Sequence, residues 1–223
     1  MRRFVVALLM LAAFGYAAPG ASAGPILFES AFSQDGTVYT GGSKPANWTL
    51  ALDADGLGTI TATVASPGLH DLLVFLDYEI DELVNTFFNE FGATSGAPGA
   101  GLTWEIDEPG YVFGDIYDNF LAGALDGTNG VPASSPDDVS FAMHRSFVLA
   151  AGESASVKFS MKTTPPAGGF YLVQTDPDSD SSVYFSSDLT IRDGGEPVIP
   201  EPGTLTLLGL GLAAAARRLR RRG

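Results

Sequence analysis

The sequence predicts an all-β domain, an antiparallel β-sandwich with jelly-roll-like connectivity, flanked by two short processing segments. Apolar and polar residues alternate along most of the middle of the chain, which is the period of a half-buried strand. Turn-forming Gly, Pro, Asn and Asp residues separate these stretches at short intervals. A domain of roughly 170 residues suits two packed sheets with about eight to ten strands in all.

The first half of the domain is predicted to contain a hairpin, a central strand and a short helix. Residues 48–52 and 58–64 flank an Asp-Ala-Asp-Gly segment, and its Asp-Gly step suits the positive φ of a tight turn. Leu72 to Tyr78 is an apolar stretch of strand length, which predicts a strand in the middle of a sheet. Residues 80–91 carry apolar side chains at helical spacing, although their Asn-Thr-Phe-Phe segment suits a strand equally well.

The second half is predicted to contain another short helix and two further hairpins. Residues 115–124 repeat the helical spacing over a shorter stretch. The alternating stretches 139–149 and 157–161 are separated by a short turn that contains Gly, which predicts a hairpin. An acidic loop separates residues 170–175 from residues 183–191 and predicts the last hairpin.

The composition removes most familiar catalytic groups. The chain has no Cys, which excludes disulfides, thiolate metal ligands and cysteine nucleophiles. Its two histidines, His70 and His144, leave little for a zinc site or for a histidine base. We therefore predict no catalytic residues and no enzyme activity.

The N-terminus has the parts of a secretory signal peptide. Arg2 and Arg3 precede an apolar run over residues 4–18, and small residues close the segment. The positive charge stays on the cytoplasmic side, the run is too short for a stable span, and small side chains fit signal peptidase. We predict that signal peptidase removes residues 1–23 and that the exported domain covers residues 24–196.

Residues 197–223 form a tail with three parts. The motif Pro200-Glu201-Pro202 is followed by an apolar stretch over residues 203–216 and then by a cluster of arginines. The stretch is shorter than the ~20 residues that span a bilayer comfortably, and the arginines are a positive-inside stop. We predict a short transmembrane helix that anchors the chain in the inner membrane transiently, with the domain outside.

This tail resembles the PEP-CTERM sorting signal of Gram-negative bacteria that make exopolysaccharide and carry an exosortase. The resemblance covers about residues 198–223 and depends on Pro200, Glu201 and Pro202 standing before the apolar helix and the Arg cluster. It implies that exosortase, a membrane cysteine protease or transpeptidase, recognises the motif and cleaves near it. It also implies export to the cell surface or the extracellular space. A plain C-terminal membrane anchor is the alternative.

The domain is strongly acidic once both ends are removed. Residues 24–202 keep five Lys and Arg against 26 Asp and Glu, a formal charge of −21. A charge of that size repels nucleic acid and anionic lipid, so we predict no nucleic-acid partner. It attracts divalent cations and cationic surfaces, but it suits simple solubility outside the cell equally well.

The acidic loop before the last predicted strand contains the candidate metal site. Asp176, Asp178 and Asp180 alternate along this loop, and carboxylates at that spacing converge on a hard cation when the loop wraps it. Calcium is the one cofactor we predict. The loop is not an EF-hand, since Ser181 and Ser187 stand where Gly and Glu are required. The alternative is a turn whose Asp side chains bond its own backbone.

Two other sets of residues are candidates for chemistry. Carboxylates cluster at residues 77–82 and 105–108, and glycosidases use paired carboxylates. Solvated strand edges are the simpler explanation. Trp48, Trp104 and three tyrosines, Tyr111, Tyr117 and Tyr171, are candidates for a platform that stacks on sugars, although aromatic residues of a sandwich more often belong to its core.

These observations lead to one functional hypothesis and two alternatives. The leading hypothesis is an exported cell-surface or extracellular-matrix protein, structural and associated with exopolysaccharide in a biofilm. A carbohydrate- or calcium-binding surface module is the first alternative, and it requires exposed aromatic residues beside carboxylates. A secreted hydrolase is the second, and it requires a carboxylate pair at a fixed separation in a cleft.

Overall fold

The computed structural model describes residues 24–80, 87–110 and 112–194. Within these residues the chain forms two antiparallel β-sheets, which confirms the predicted all-β class. The predicted signal peptide of residues 1–23 and the predicted tail of residues 197–223 lie outside the described residues.

The described part of the chain contains eleven strands, one short α-helix and a 3₁₀ turn at Phe87–Asn89. In chain order the elements are β1 (Pro25–Gln34), β2 (Thr37–Tyr39), β3 (Trp48–Leu52), β4 (Gly58–Val64), β5 (Gly68–Ile80), β6 (Phe91–Ser95), β7 (Leu102–Asp107), α1 (Ile116–Ala122), β8 (Ser140–Leu149), β9 (Ser154–Lys162), β10 (Tyr171–Asp176) and β11 (Ser181–Arg192).

The strands pack as two layers around one core. The first sheet has the order β2-β1-β5-β8-β7 and the second the order β3-β4-β9-β11-β10-β6. Because side chains alternate across a strand, every second residue of each strand points between the sheets. Trp48, Phe141, Phe159 and Phe185 are among the large side chains that fill this core.

Strand β5 lies in the middle of the first sheet, as predicted for residues 72–78. Leu72, Val74 and Leu76 point into the main core. Leu73 and Phe75 point to the outer side and are buried as well, because α1 packs over them and forms a second, smaller core. The strand is therefore apolar on both faces because each face has a covering layer.

Two of the three predicted hairpins are confirmed. Strand β3 pairs with β4, and β10 pairs with β11. In the first of these turns Gly56 has a φ of 80°, and a Cβ added there would lie 2.3 Å from the Leu27 side chain. The turn therefore requires glycine both for its backbone conformation and for its close approach to β1.

The third predicted hairpin, over residues 139–149 and 157–161, is wrong. Strand β8 pairs with β5 and β7 in the first sheet, whereas β9 pairs with β4 and β11 in the second. The turn between them carries the chain across the core from one sheet to the other. A strand that changes sheets keeps its apolar side toward the shared core, so its alternation is the same as that of a hairpin strand.

The two predicted helices have different outcomes. Helix α1 confirms the prediction for residues 115–124, and it ends at Gly123, whose φ is 68°. In the stretch 80–91, β5 continues to Ile80 and β6 begins at Phe91, and residues 81–86 lie outside the described part. Among the described residues, none of the helices has the length and apolar character needed to cross a bilayer.

Candidate binding cleft on the first sheet

A cleft of about 790 Å³ opens on the outer side of the first sheet, beside α1 and its flanking loops. We call it the acidic cleft. The described residues that line it are Phe28, Asp77, Glu79, Phe88, Glu108, Pro109, Val112, Phe113, Asp137 and Asp138. Carboxylates from three separate parts of the chain therefore meet apolar side chains in one depression.

A β-bulge brings the first aromatic side chain to the rim. The pairing of β1 with β5 shifts between Leu27 and Glu29, so Phe28 is an extra residue without a partner in the register. A bulge bends its strand and redirects a side chain. Phe28 consequently turns outward and is 66% exposed.

The rim as a whole is apolar and exposed. Phe28, Phe88, Val112 and Phe113 are each at least 60% exposed, and they come from strand β1, the 3₁₀ turn and the loop before α1. Large apolar side chains scattered singly on a surface are ordinary, but several around one polar depression are typical of a binding site. The rim was not predicted from the sequence, because none of these residues has a local pattern that distinguishes it from a core residue.

Three carboxylates crowd together on the floor of the acidic cleft. Oxygen atoms of Asp77, Glu79 and Asp138 lie within 4.8 Å of one another. Burial, followed by the charges of Asp138 and Glu79, raises the pKa of Asp77 to about 8. Burial, with added repulsion from Asp137 and Glu108, raises the pKa of Asp138 to about 6. The cluster therefore holds a proton at neutral pH, and a bound cation would relieve the same repulsion.

Hydrogen bonds hold the Asp77 carboxylate and the backbone of residues 137 and 138 in place. The Ser140 hydroxyl donates to Asp77 Oδ1 at 3.2 Å. The Asp137 amide donates to the carbonyl of Glu90 at 2.9 Å, and the Asp138 amide donates to Asp137 Oδ1 at 3.0 Å. Within the described ranges, no Lys or Arg forms an ion pair with Asp77 or Asp138. The charged groups around Asp77 and Asp138 are therefore other carboxylates, which repel them.

A buried glutamate ties the cleft to the second sheet. Glu90 is fully buried; it accepts a hydrogen bond from the Ile80 amide at 3.0 Å and another from the Gln174 side chain. The same Gln174 amide donates to the carbonyl of Tyr78 at 2.6 Å. Burial raises the pKa of Glu90 to about 8. Glu90 therefore acts as a hydrogen-bonded link between the end of β5 and β10, a role that its position in the sequence did not indicate.

The two predicted acidic clusters are partly brought together. Glu108 lines the cleft with Asp77 and Glu79, whereas Glu105 and Asp107 form a separate group with Asp115. The remaining members of the first cluster, residues 81 and 82, lie outside the described part of the chain.

The separate group has a structural explanation. Glu105 accepts hydrogen bonds from the Asn119 side chain at 2.9 Å and from the Asp126 amide at 3.1 Å. Asp107 Oδ2 accepts one from the Asp115 amide at 2.9 Å. Burial raises the pKa of Glu105 to about 7. These carboxylates hold the two ends of the α1 region against β7.

The predicted calcium loop has its carboxylates directed to different partners. Asp176 is fully buried, and its two oxygens accept hydrogen bonds from the Asp178 amide, at 2.9 Å, and from the amide and hydroxyl of Ser179. Asp178 Oδ2 accepts a hydrogen bond from the Asn89 side chain at 2.8 Å. Asp180 has a φ of 54°, as turn residues often do. This geometry is that of the alternative, a turn that bonds its own backbone, and calcium at this loop stays a prediction.

Comparison with known proteins concerns the C-terminal tail. Residues 198–222 match the family model of the PEP-CTERM protein-sorting motif, and Pro200, Glu201 and Pro202 lie inside the match. This chain carries a PEP-CTERM sorting signal. The signal implies an exported protein that exosortase processes, which confirms the resemblance. Neither the curated proteins nor the solved structures include a match to the chain.

In the exported domain of this PEP-CTERM protein, both histidines have structural partners. His144 Nε2 lies 2.8 Å from Asp71 Oδ1, and its Nδ1 lies 3.2 Å from the Thr103 hydroxyl. His70 bonds an aspartate through one nitrogen and a backbone carbonyl through the other. Burial acts to lower the pKa of His70, but these two partners outweigh it and the pKa is raised.

The predicted aromatic platform does not form as a unit. Trp48 is 1% exposed and stacks in the main core against Phe159. Tyr117 packs edge-on against Phe75 beneath α1. Tyr111 lies outside the described residues. Among the residues that the structure describes, phenylalanines of the acidic cleft are exposed beside carboxylates in this PEP-CTERM protein, and the sequence analysis did not single them out.

Proposed function

We propose that this protein is a non-enzymatic cell-surface or matrix protein that associates with extracellular polysaccharide and binds a saccharide in the acidic cleft. The observation that carries the proposal is the meeting of three exposed phenylalanines with a carboxylate floor. Aromatic faces pack on the apolar faces of sugar rings, and carboxylates accept hydrogen bonds from sugar hydroxyls. This combination of apolar walls and a few polar groups is the usual composition of a small-molecule site.

We propose that the acidic cleft binds a saccharide without hydrolysing it, and that the protein has no enzyme activity. Oxygens of Asp77, Glu79 and Asp138 lie within 4.8 Å of one another. Crowded carboxylates of this kind accept hydrogen bonds from sugar hydroxyls or share a cation.

A direct binding measurement tests the saccharide proposal. The processed protein, purified after export, is titrated calorimetrically with oligosaccharides released from the polysaccharide of the producing cells. Phe113→Ala is expected to weaken binding at least tenfold, because it removes a rim side chain that is 68% exposed. Leu69→Ala is the matched control, since Leu69 is 62% exposed and does not line the cleft. Equal binding by both variants would contradict the assignment of the cleft.

Calcium binding is the second candidate, favoured by the three carboxylates of the cleft floor. Hard cations take several carboxylate oxygens, and a ligand that binds only the folded state raises the melting temperature by mass action. The melting temperature is measured in calcium and in chelator. If Asp138→Asn abolishes the rise in melting temperature, the cation binds in the cleft. If the double variant Asp178→Asn/Asp180→Asn abolishes the rise, the cation binds in the loop. No increase in the unmodified protein would remove calcium from the proposal.

Processing by exosortase has its own test, in living cells. Glu201→Ala is expected to leave the precursor uncleaved and anchored in the inner membrane through its C-terminal helix. Glu196→Ala, just outside the matched residues 198–222, is the control and is expected to be processed normally. The mass of the protein in the membrane and extracellular fractions reports the result. Normal cleavage of the Glu201→Ala precursor would refute the role of the motif.

We also propose that the connectivity is jelly-roll-like. The described strands change sheets five times along the chain, between β2 and β3, β4 and β5, β5 and β6, β6 and β7, and β8 and β9. The antiparallel pairs β5–β8 and β4–β9 are thus nested in sequence and lie in opposite sheets. This nesting is the feature that supports the comparison with double-sheet jelly rolls.

A further inference from the structure

The outer side of the second sheet is an array of hydroxyl side chains, which we call the hydroxyl face. Inward and outward side chains alternate along its strands β4, β9 and β11, although Ser160 of the outward set is only 7% exposed. The outward set includes Thr59, Thr61, Thr63, Ser156, Ser160 and Ser186. Helix α1 contacts strands of the first sheet, and no described helix packs on this face.

The charge of the hydroxyl face is opposite to that of the domain. The outward positions of its six strands carry Lys158, Lys162 and Arg192 against one carboxylate, Asp188. Residues 24–202 as a whole have five basic residues against 26 acidic ones. Three of the five basic residues of the exported protein are therefore gathered where the acidic residues are nearly absent.

A hollow on this face combines these cations with an aromatic ring. It has a volume of about 220 Å³ and lies between Lys158, Lys162, Tyr184 and Asp188, with residues 164–167 as its wall. Lys158 Nζ lies 3.9 Å from Asp188 Oδ2 across the exposed surface, a distance at which the pair is weak, and among the described residues Lys162 has no such ion pair. Tyr184 is directly opposite Lys162 in the register and packs edge-on against Tyr171 at a centroid distance of 5.7 Å. The two lysines are four residues apart on one strand, or about 13 Å.

The acidic cleft does not cancel this local charge. It opens on the outer side of the first sheet, and the two sheets of a sandwich pack about 10 Å apart. A ligand on the hydroxyl face therefore lies closer to Lys158 and Lys162 than to those carboxylates, and a Coulomb interaction weakens with distance. An anionic chain therefore meets a net positive surface there.

We propose that the hydroxyl face docks an extended acidic polysaccharide, one that carries carboxylate groups on its sugar units. Lys158 and Lys162 pair with the carboxylates, and Tyr184 supplies an apolar surface to a sugar ring. The Ser and Thr side chains exchange hydrogen bonds with sugar hydroxyls. The inference rests on the proposed association with extracellular polysaccharide and specifies its chemical class, at a site separate from the acidic cleft.

The test uses the processed protein, purified after export, with three polymers as probes. Polygalacturonate is the acidic polysaccharide, dextran the neutral one, and polyphosphate an anion without sugars. The protein is expected to bind polygalacturonate and to bind dextran and polyphosphate at least tenfold more weakly. The double variant Lys158→Gln/Lys162→Gln is expected to lose at least tenfold in affinity for polygalacturonate. Its melting temperature is expected to stay unchanged, because the Lys158 side chain is 50% exposed and Lys162 is exposed as well.

Lys44→Gln is the matched control. Lys44 is exposed in the loop before β3, donates to the Trp48 carbonyl and does not line the hollow, so the variant removes one charge from outside the hollow. It is expected to bind polygalacturonate within twofold of the unmodified protein. Binding that survives the double lysine change overturns the docking face but leaves the proposed function standing. Equal binding to polyphosphate overturns the saccharide as the ligand. Failure to bind any polysaccharide, including that of the producing cells, overturns both proposals.

Discussion

The two outer faces of the sandwich differ in cover, charge and composition. The first sheet is covered in part by α1, which buries Phe75 and Phe120, and beside this cover lies the acidic cleft with its apolar rim. The second sheet has a bare outer face of hydroxyl groups with three cations and one carboxylate. An outer sheet face thus becomes either a second core or a polar surface, according to whether another element covers it.

The comparison shows that acidic and basic side chains are distributed unevenly between the two outer faces. Carboxylates at the first sheet are crowded and partly buried, which raises their pKa values and makes the stability of the fold depend on pH. Three of the five basic residues of residues 24–202 lie on the opposite side, where they are exposed. A net charge of the whole chain therefore does not describe either surface.

The largest expected effect comes from removing the cover of the first sheet. Phe120 is fully buried between α1 and the sheet, so Phe120→Ala is expected to lower the free energy of unfolding by about 3–5 kcal/mol. Urea denaturation monitored by fluorescence measures it. Leu121→Ala on the same helix, where Leu121 is 47% exposed, is the control and is expected to cost less than about 1 kcal/mol. Similar losses for both would mean that α1 does not form a core with the sheet.

A second, intermediate effect is the pH dependence that the cleft floor imposes. Asp77 keeps its proton in the folded protein up to about pH 8, whereas an unfolded aspartate ionises near pH 4. Between these values the folded state binds more protons, so stability falls as the pH rises. Asp77→Asn removes the part of this dependence that Asp77 contributes, whereas Glu90, Glu105 and Asp138 keep theirs. The variant is expected to melt at the same temperature as the unmodified protein near pH 4 and at least about 2–4 °C above it near pH 8, in chelator.

The control for this prediction lies on the other face. Asp188→Asn changes an aspartate whose side chain is 75% exposed, and the variant is expected to keep the pH dependence of the unmodified protein. If the melting temperature of Asp77→Asn depends on pH as strongly as that of the unmodified protein, the crowding of carboxylates on the cleft floor does not affect the stability of the fold.

The smallest effect is expected on the hydroxyl face. Thr59 and Thr61 stand outward on β4 and are partly exposed, so Thr59→Val with Thr61→Val is expected to change the free energy of unfolding by no more than about 0.5 kcal/mol. Thermal melting detects a larger change. A decrease of several kcal/mol in the free energy of unfolding would show that interactions among these hydroxyl groups stabilise the second sheet. The two outer faces would then contribute similarly to stability.

Features that depend on neighbouring residues in the sequence were predictable. The hairpins β3–β4 and β10–β11 follow from a short turn between two alternating stretches, and α1 follows from helical spacing. The hairpin predicted from β8 and β9 failed, because the alternation of a strand records which side faces the core and not which strand lies beside it. The cleft was not predictable for the same reason, since Asp77 and Asp138 meet only through the pairing of β5 with β8.

The sequence by itself determined the sorting signal and the β class. Exosortase recognition depends on a linear motif at residues 198–222, and strand formation depends on a period of two, so both are local properties. Tertiary structure alone decided the bulge that exposes Phe28, the carboxylates that share the cleft floor, and the separation of acidic from basic surface. These depend on register and on which sheet each strand joins, and the burial of the whole core, rather than any single segment, selects them.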